Sequence, residues 1–526
     1  MRFLPVNLTA LLVELTTLEQ AIALHRNLIN EPIEGIMQML PAARTVLIEY
    51  DPLYLSKQQL AQQISQRSFE QSSLSLGKLV KIDVEYNGCD LGEVAEYLNL
   101  SVNALIDWHT EAPFQVAFTG FAPGFAYLKA LGTSLVVPRR NSPRAKIPAG
   151  SVALAGEFSG IYPKDSPGGW QLIGQTSQAM WDLKRERPAL LEPGDRVQFV
   201  NAQKIAITVP KIIERSSPPS SVAPSTNGLI VNSSGLFTTF QDLGRVNKAS
   251  QGVSPSGAMD QYAYRVANRL VGNCLDEAVI ELTHGHFSAC VAGELVVALT
   301  GAPCQLSVKD QEGRAVECQF NQPFALCEGD TLSIGASNAG VRSYLAVRGG
   351  WLCDKVLESA SFDSLAKLGP LPLRVGDRIL ARTSSLLSAV QTNYCEPTER
   401  YPTTRDVVKL DIVLGPHCDW FSEHALDVLS SARWVVAKQS DRIGIRLEST
   451  ETLERKVAYE LPSEGVVAGS IQVPANGQPL IFMRDHPLTG GYPVIACITD
   501  YHLDLVAQLP VGASVQFHPI SPFAEI

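Results

Sequence analysis

The spacing of hydrophobic and polar positions changes along the chain. Near the start, "ALLVEL" (10–15), "IEGIMQML" (33–40) and "ARTVLIEYD" (43–51) have the aliphatic and β-branched runs of strands. "LEQAIALHRNLI" (18–29) and "SKQQLAQQISQ" (56–66) instead set apolar residues three and four apart, the helical spacing. "KLVKIDVEY" (78–86) ends this stretch as a further strand. Residues 1–85 therefore predict a small α+β layer, a sheet covered by helices. From 113 to 213 the runs become short, β-branched and aromatic, with Gly/Pro turns between them, as a barrel or sandwich requires. The remainder follows the same pattern apart from helices predicted at "AMDQYAYRVANRLVG" (258–272) and "FSEHALDVLSSA" (421–432).

One stretch breaks both patterns. "ERSSPPSSVAPSTNG" (214–228) is mostly serine and proline and too poor in apolar residues to pack, so it predicts a linker. The expected organisation is an α+β domain (1–85), a barrel (86–213), the linker (214–228), a β-rich domain (229–400) and a second barrel (401–526), α+β in class and mainly β. The two barrels share an ordered set of segments. "FTGFAPGF" (118–125), "PRRNSPRAKIPAGSVAL" (138–154), "SPGGWQLIG" (166–174) and "LEPGDRVQFV" (191–200) are answered by "VLGPHCDWF" (413–421), "SDRIGIRLE" (440–448), "VVAGSIQVP" (466–474), "LTGGYPVIA" (488–496) and "LPVGASVQF" (509–517). A common order over about a hundred residues predicts an internal duplication.

Composition narrows the function. Lys and Arg number 43 against 53 Asp and Glu, a net charge of −10, which disfavours nucleic acid or an anionic membrane as the main partner. Ten cysteines without a CxxC, and no HExxH, predict free thiols and no metal site. The apolar start is interrupted by Glu14 and Glu19, and no run approaches the ~20 residues of a spanning helix, so a cytoplasmic protein is expected. A Walker-type phosphate loop, a GxGxxG fingerprint, a GxSxG elbow and a Met-Lys-Met biotin-attachment site are all missing.

The densest chemistry lies in "VPRRNSPRAKIPAGS". Arg139, Arg140, Arg144 and Lys146 crowd together between prolines, and guanidinium forks on stiff backbone suit a carboxylate or phosphate. An exposed basic edge strand would explain them too. Gly168-Gly169 and Gly490-Gly491 could take positive φ or admit a ligand to their N–H groups, with Trp170 or Tyr492 as a wall; a tight barrel corner is the alternative. Gln241, Asp242, Arg245, Ser256 and Asp260 fall in Gly/Ser-rich surroundings, and Asp260 also suits a helix's first turn. Asp441, Arg442, Glu464, Asp485 and Thr489 sit at turns of the second copy, where acid–base pairs could work or turn chemistry suffice. His109 is the histidine candidate for titration near neutral pH.

"WHTEAPFQVAFTGFAPGFAYL", "VPRRNSPRAKIPAGSVALAG" and "GIYPKDSPGGWQLIGQT" resemble the B subunit of bacterial 5-oxoprolinase, a family also labelled allophanate hydrolase subunit 1 or Kip-type inhibitor. "GLFTTFQDLGR", "GVSPSGAMDQYAYRVANRLVGN", "SEGVVAGSIQVPANGQP" and "DHPLTGGYP" resemble the C subunit. The resemblance implies cyclophilin-like barrels in both halves, here fused, and a relation to the carboxyltransferase portion of urea carboxylase. It implies ATP with Mg²⁺ as co-substrate, a separate 5-oxoprolinase A subunit as partner, and conversion of 5-oxoproline to glutamate. On that reading Arg140, Arg144 and Lys146 contact the anion, Gly168 and Gly169 supply N–H groups, and Asp441, Arg442 and Asp485 form the C-half's contribution. A biotin-dependent carboxyltransferase acting on urea is the alternative, with a non-enzymatic regulator of a sensor kinase behind it; a homo-oligomer is compatible with each. The chain departs from the family at "ESASFDSLAKLGP" (358–370), where Ala360 replaces the customary arginine.

Overall fold

Four N-terminal strands pair antiparallel in the spatial order Arg2–Pro5, Ala10–Glu14, Thr45–Tyr50 and Ile36–Pro41. Helices Leu18–Asn30 and Lys57–Ser65 cover one face, packing Leu24, Leu28, Leu60 and Ile64 on Leu11, Val13, Val46 and Ile48. Both helices start at a hydroxyl cap: Thr17 accepts from Gln20 N–H, and Ser56 forms a reciprocal box with Gln59. The other face (Leu4, Leu12, Leu40, Leu47) packs on Val467 and Leu488 of the C-terminal barrel. Burial on both faces is why these strands read as continuous apolar runs rather than alternating ones. The computed structural model describes every residue except 68–76, 141, 143, 203–225, 384–386, 393, 395–400 and 458–460. Most of the linker expected at 214–228 lies outside the described residues, and Gly228 already opens the strand Gly228–Ser234.

The strand Leu79–Val84, expected in the small domain, instead runs parallel to Arg196–Asn201 in the first barrel. A parallel partner so distant in sequence leaves no local signal, so the boundary at 85 falls one strand late. The first barrel orders its strands Gln171–Gln175, Ser151–Ala155, Phe158–Ile161, Ala126–Ala130, Phe114–Thr119, Arg196–Asn201 and Leu79–Val84, and a bridge between Glu85 and Gln175 joins the ends. The second orders Val494–Ile498, Ser470–Gln472, Leu480–Phe482, Gly444–Glu448, Trp434–Val436, Ser514–Pro519 and Val407–Leu414, and closes completely. Strand for strand the connectivity is the same. Each barrel also carries a two-stranded side sheet, Arg144–Ile147 with Ser166–Gly168 and Glu464–Gly465 with Thr489–Gly490.

This topology corrects two of the sequence correspondences. "VLGPHCDWF" leaves the strand equivalent to Leu79–Val84, so its counterpart is the segment after residue 84, not "FTGFAPGF". The counterpart of "FTGFAPGF" is the turn containing Asp441, between Trp434–Val436 and Gly444–Glu448. Short Gly-aromatic segments are interchangeable by composition, and only the pairing separates them.

Between the barrels, residues 228–381 form two facing sheets of seven and five strands around Leu229, Phe287, Leu332 and Trp351. Helix Gln261–Leu270 lies against the five-stranded sheet through Ala263, Ala267 and Leu270. Among the described residues no helix is long and apolar enough to cross a membrane, and no cluster of three potential metal ligands forms.

Candidate functional site

The two barrels meet at their glycine-lined mouths. Gly120, in the turn after Phe114–Thr119, abuts Thr489: a Cβ there would lie 2.6 Å from Thr489 Oγ1, so only glycine permits this approach. Arg139 reaches toward the second barrel, its Nη1 3.6 Å from where a side chain on Gly491 would begin. Tyr127 lies buried beside it. Burial raises the Tyr127 hydroxyl pKa, against smaller downward pulls from Ser463, Arg139 and Thr489, so the group remains a proton donor. Arg139, Tyr127, Ser463, Thr489 and Gly491 thus come together at the seam between the barrels.

The glycine pairs differ from expectation in their reason. Positive φ is found at many glycines but not at Gly168, Gly169, Gly490 or Gly491. The constraint at the first glycine of each pair is space: a side chain on Gly168 would strike the Tyr162 hydroxyl, and one on Gly490 the Gln472 amide, whereas Gly169 and Gly491 have room for one. Trp170 is not a ligand wall either, since it is buried edge-on to Phe125 and Tyr127 at 5.4 and 5.5 Å. Tyr492 is half exposed and stands 5.9 Å from the Arg455 guanidinium.

Three of the four clustered cations are already occupied. Arg144 grips Asp90 with two hydrogen bonds of 2.7 and 2.9 Å, and Arg140 adds a third at 3.0 Å. Lys146 pairs with Asp165 at 2.8 Å on the surface. Asp90, which the sequence reading did not single out, is the counter-charge of both guanidinium groups. Arg139 alone of the four has no ion pair among the described residues.

Asp90 has a counterpart of different charge. Its Oδ2 accepts from Leu172 N–H at 2.7 Å, as His417 Nδ1 accepts from the equivalent Val494 N–H at 3.4 Å. Arg144 stands opposite Gly168 and Glu464 opposite Gly490 in the two side sheets. The pair Asp90–Arg144 in the first barrel is therefore matched by His417–Glu464, 3.0 Å apart, in the second. The acidic and basic members have exchanged places. Glu464 is engaged in this pair as the acceptor.

The C-half candidates converge on a buried network that joins the middle domain to the second barrel. Asp242 accepts from Ser359 Oγ and Ser361 Oγ, both at 2.6 Å, and from Ala360 N–H at 2.7 Å. Gln241 donates to Thr239 and to the Phe362 carbonyl, and Arg245 to the carbonyls of Val356 and Ser361. Asp260 caps helix Gln261–Leu270 and accepts from Gln508 at 2.8 Å. Ser256, Ser364 and Arg442 all converge on Asp485, Arg442 through Nε at 2.9 Å and Nη2 at 3.0 Å. Arg442 also donates to Glu281 and the Gly257 carbonyl.

Arg442 and Asp485 are both buried and carry structural bonds, Asp485 accepting from three side chains and Arg442 donating to four acceptor atoms. Asp441, exposed, accepts from the backbone of Ile443 and Gly444 and shapes that turn. Contrary to expectation, His109 does not titrate near neutral pH. It is fully buried, bonded to Tyr86 and Ser159, and stacked 4.1 Å from Phe199; burial lowers its pKa to about 3. Ala360 lies buried and donates its backbone N–H to Asp242. Sequence reasoning missed Asp90, Tyr127, Glu281 and Ser463. For Asp90 the one available signal was the glycine that follows each first barrel strand, Gly88 and Gly415.

Comparison with known proteins agrees with the two-part architecture. Residues 251–519 match the family model "Carboxyltransferase domain, subdomain A and B", and residues 1–191 match "Carboxyltransferase domain, subdomain C and D". The C-half is 34% identical over 286 residues to the 5-oxoprolinase C subunit of Escherichia coli K12, covering 54% of this chain and 88% of that one. The N-half is 38% identical over 187 residues to the 5-oxoprolinase B subunit of Bacillus subtilis 168, covering 32% of this chain and 78% of that one. The crystal structure of TTHA0988 superimposes with a TM-score of 0.79 at 31% identity, covering 97% of this chain and 99% of that one. Urea amidolyase of Lachancea kluyveri is 31% identical over 315 residues, 55% of this chain but only 17% of that enzyme.

Proposed function

Because the chain belongs to the carboxyltransferase-domain family of the 5-oxoprolinase B and C subunits, with both halves in one polypeptide, we propose that it supplies the B and C components of an ATP-dependent 5-oxoprolinase working with a separate A-type subunit. The observation that carries this reading is the shared seam, where Arg139 and Tyr127 of one barrel face Thr489 and Gly491 of the other.

The chemistry asks for donors of this kind. A five-membered lactam resists hydrolysis, and transfer of the γ-phosphoryl group of ATP to the lactam oxygen makes the ring carbon electrophilic. Water adds to that carbon, C–N cleavage expels the ring nitrogen as the amine and leaves γ-glutamyl phosphate, and a second water releases phosphate and glutamate. Negative charge develops on oxygen at each stage, and a preorganised guanidinium and hydroxyl at the barrel seam stabilise it. Arg139 is the cation for this role, since Arg140 and Arg144 are held by Asp90.

The test combines the purified chain with a cognate A-type subunit, Mg-ATP and 5-oxoproline, and measures ADP and glutamate. Coupled formation of both, lost on Arg139→Ala, supports the proposal. Failure in every combination, together with carboxylation of urea by carboxybiotin, would transfer the seam to the second reading, which the urea amidolyase likeness favours.

A further inference from the structure

A second cavity, of about 510 Å³, lies where three domains meet: the strands Ile36–Pro41 and Thr45–Tyr50, the segment 243–261 of the middle domain, and 466–488 of the second barrel. It is distinct from the barrel seam, and Arg139, Tyr127 and Gly491 are not among its walls. Leu40, Leu47, Leu243, Val466, Val467 and Leu488 make it apolar. Its size and lining suit a small organic ligand held by a few polar groups.

Two of those groups are charged. The Arg484 side chain makes no hydrogen bond or ion pair with any described residue, although it lies within the electrostatic reach of Asp504 and Asp500. Asp500 is engaged by Asn7 and Thr9, and Asp504 by the backbone of Gln261 and Tyr262. Glu49 receives Gln38 Nε2 on Oε1 at 3.0 Å, which leaves Oε2 available. His486 donates Nδ1–H to the Pro487 carbonyl, so Nε2 is left as an acceptor. Burial shifts both charged groups toward neutrality, lowering the Arg484 pKa and raising that of Glu49. Arg484 and Glu49 are both partly exposed at the cavity wall, and a ligand carboxylate would engage the guanidinium through two parallel hydrogen bonds.

We infer that this junction cavity binds a small zwitterion of the amino-acid type with an apolar body, its carboxylate on Arg484 and its ammonium on Glu49. The site differs in kind from a 5-oxoproline site, because a lactam nitrogen carries no positive charge. It stands independently of the proposed function.

Calorimetric titration of the full chain with L-leucine and L-leucyl-L-leucine tests the assignment, with isovalerate and isoamylamine as the half-ligands. Saturable binding of a zwitterion, tighter than either half-ligand, is expected. Arg484→Gln and Glu49→Gln should each weaken it about 10-fold or more, the scale of one charge-assisted contact. Arg484→Gln should melt with wild type, since it breaks no bond within the protein, and Arg139→Gln should bind unchanged. Absence of saturable binding by every probe up to roughly 10 mM overturns the inference. So does binding that survives Arg484→Gln but is lost in Arg139→Gln, which would place the ligand at the barrel seam.

Discussion

Arg442→Met separates a structural ion network from a catalytic one. The guanidinium holds Asp485 through two nitrogens, contacts Glu281 and caps the Gly257 carbonyl, all in a buried setting. Methionine fills similar volume but strands two carboxylates. Asp485 keeps its bonds from Ser256 and Ser364, and Glu281 keeps those from Met259 N–H and Tyr344, yet the closest remaining cation to Glu281 is Arg342 Nε at 3.9 Å. Breaking one side of a buried pair costs about 3–5 kcal/mol. For a domain of this size that lowers the melting midpoint by roughly 6–20 °C. Circular dichroism should show the C-half transition moving down by that amount. The triple variant Arg442→Met, Asp485→Asn, Glu281→Gln should recover much of the loss by removing the stranded charges. A single variant that melts within about 2 °C of wild type, yet loses turnover per folded molecule, would refute this account and return Arg442 to the chemistry.

Further outcomes are expected elsewhere. Gly120→Ala places a methyl 2.6 Å from Thr489 Oγ1 and 2.7 Å from Cγ2, so it should loosen the barrel contact, read as faster limited proteolysis and lost turnover; adding Thr489→Ala should restore part of both. His109, with a folded pKa near 3 against an ordinary 6.5, contributes stability that is complete above pH 6.5 and lost as pH falls toward 3. His109→Gln should therefore flatten the acid limb of the melting profile across that window and leave turnover at neutral pH in place. A steeper acid limb in the variant would contradict the buried neutral imidazole. Asp90→Asn leaves two guanidinium groups without their counter-charge and should lower the first barrel's midpoint by the equivalent of about 1–3 kcal/mol; an unchanged midpoint would mean that solvent screens the pair.

Much of the fold was legible because local periodicity matches what each element buries. Helices Gln261–Leu270 and Glu423–Ser431 lie inside the predicted segments, Leu18–Asn30 overruns its segment by one residue, and each starts at a side chain that accepts an N–H bond. Helices Leu91–Tyr97 and Val102–Glu111 were not foreseen. The site was less legible. Arg140, Arg144 and Lys146 attract notice as charge density, but which cation stays uncommitted depends on Asp90 and Asp165, distant in sequence and brought close only by the barrel. Arg442 and Asp485 look equally suited to catalysis or structure in one dimension, and burial decides between them.

The inverted couples Asp90–Arg144 and His417–Glu464 make the twin barrels non-interchangeable. Transplanting one side strand into the other barrel would set Arg144 against His417 and Glu464 against Asp90, a collision of like polarity in both. Gene duplication alone gives two copies that could each pair with themselves; this reversal leaves each copy suited to its own strand only. Joining the halves in one chain then fixes their ratio at one to one, so every molecule carries one mouth of each character.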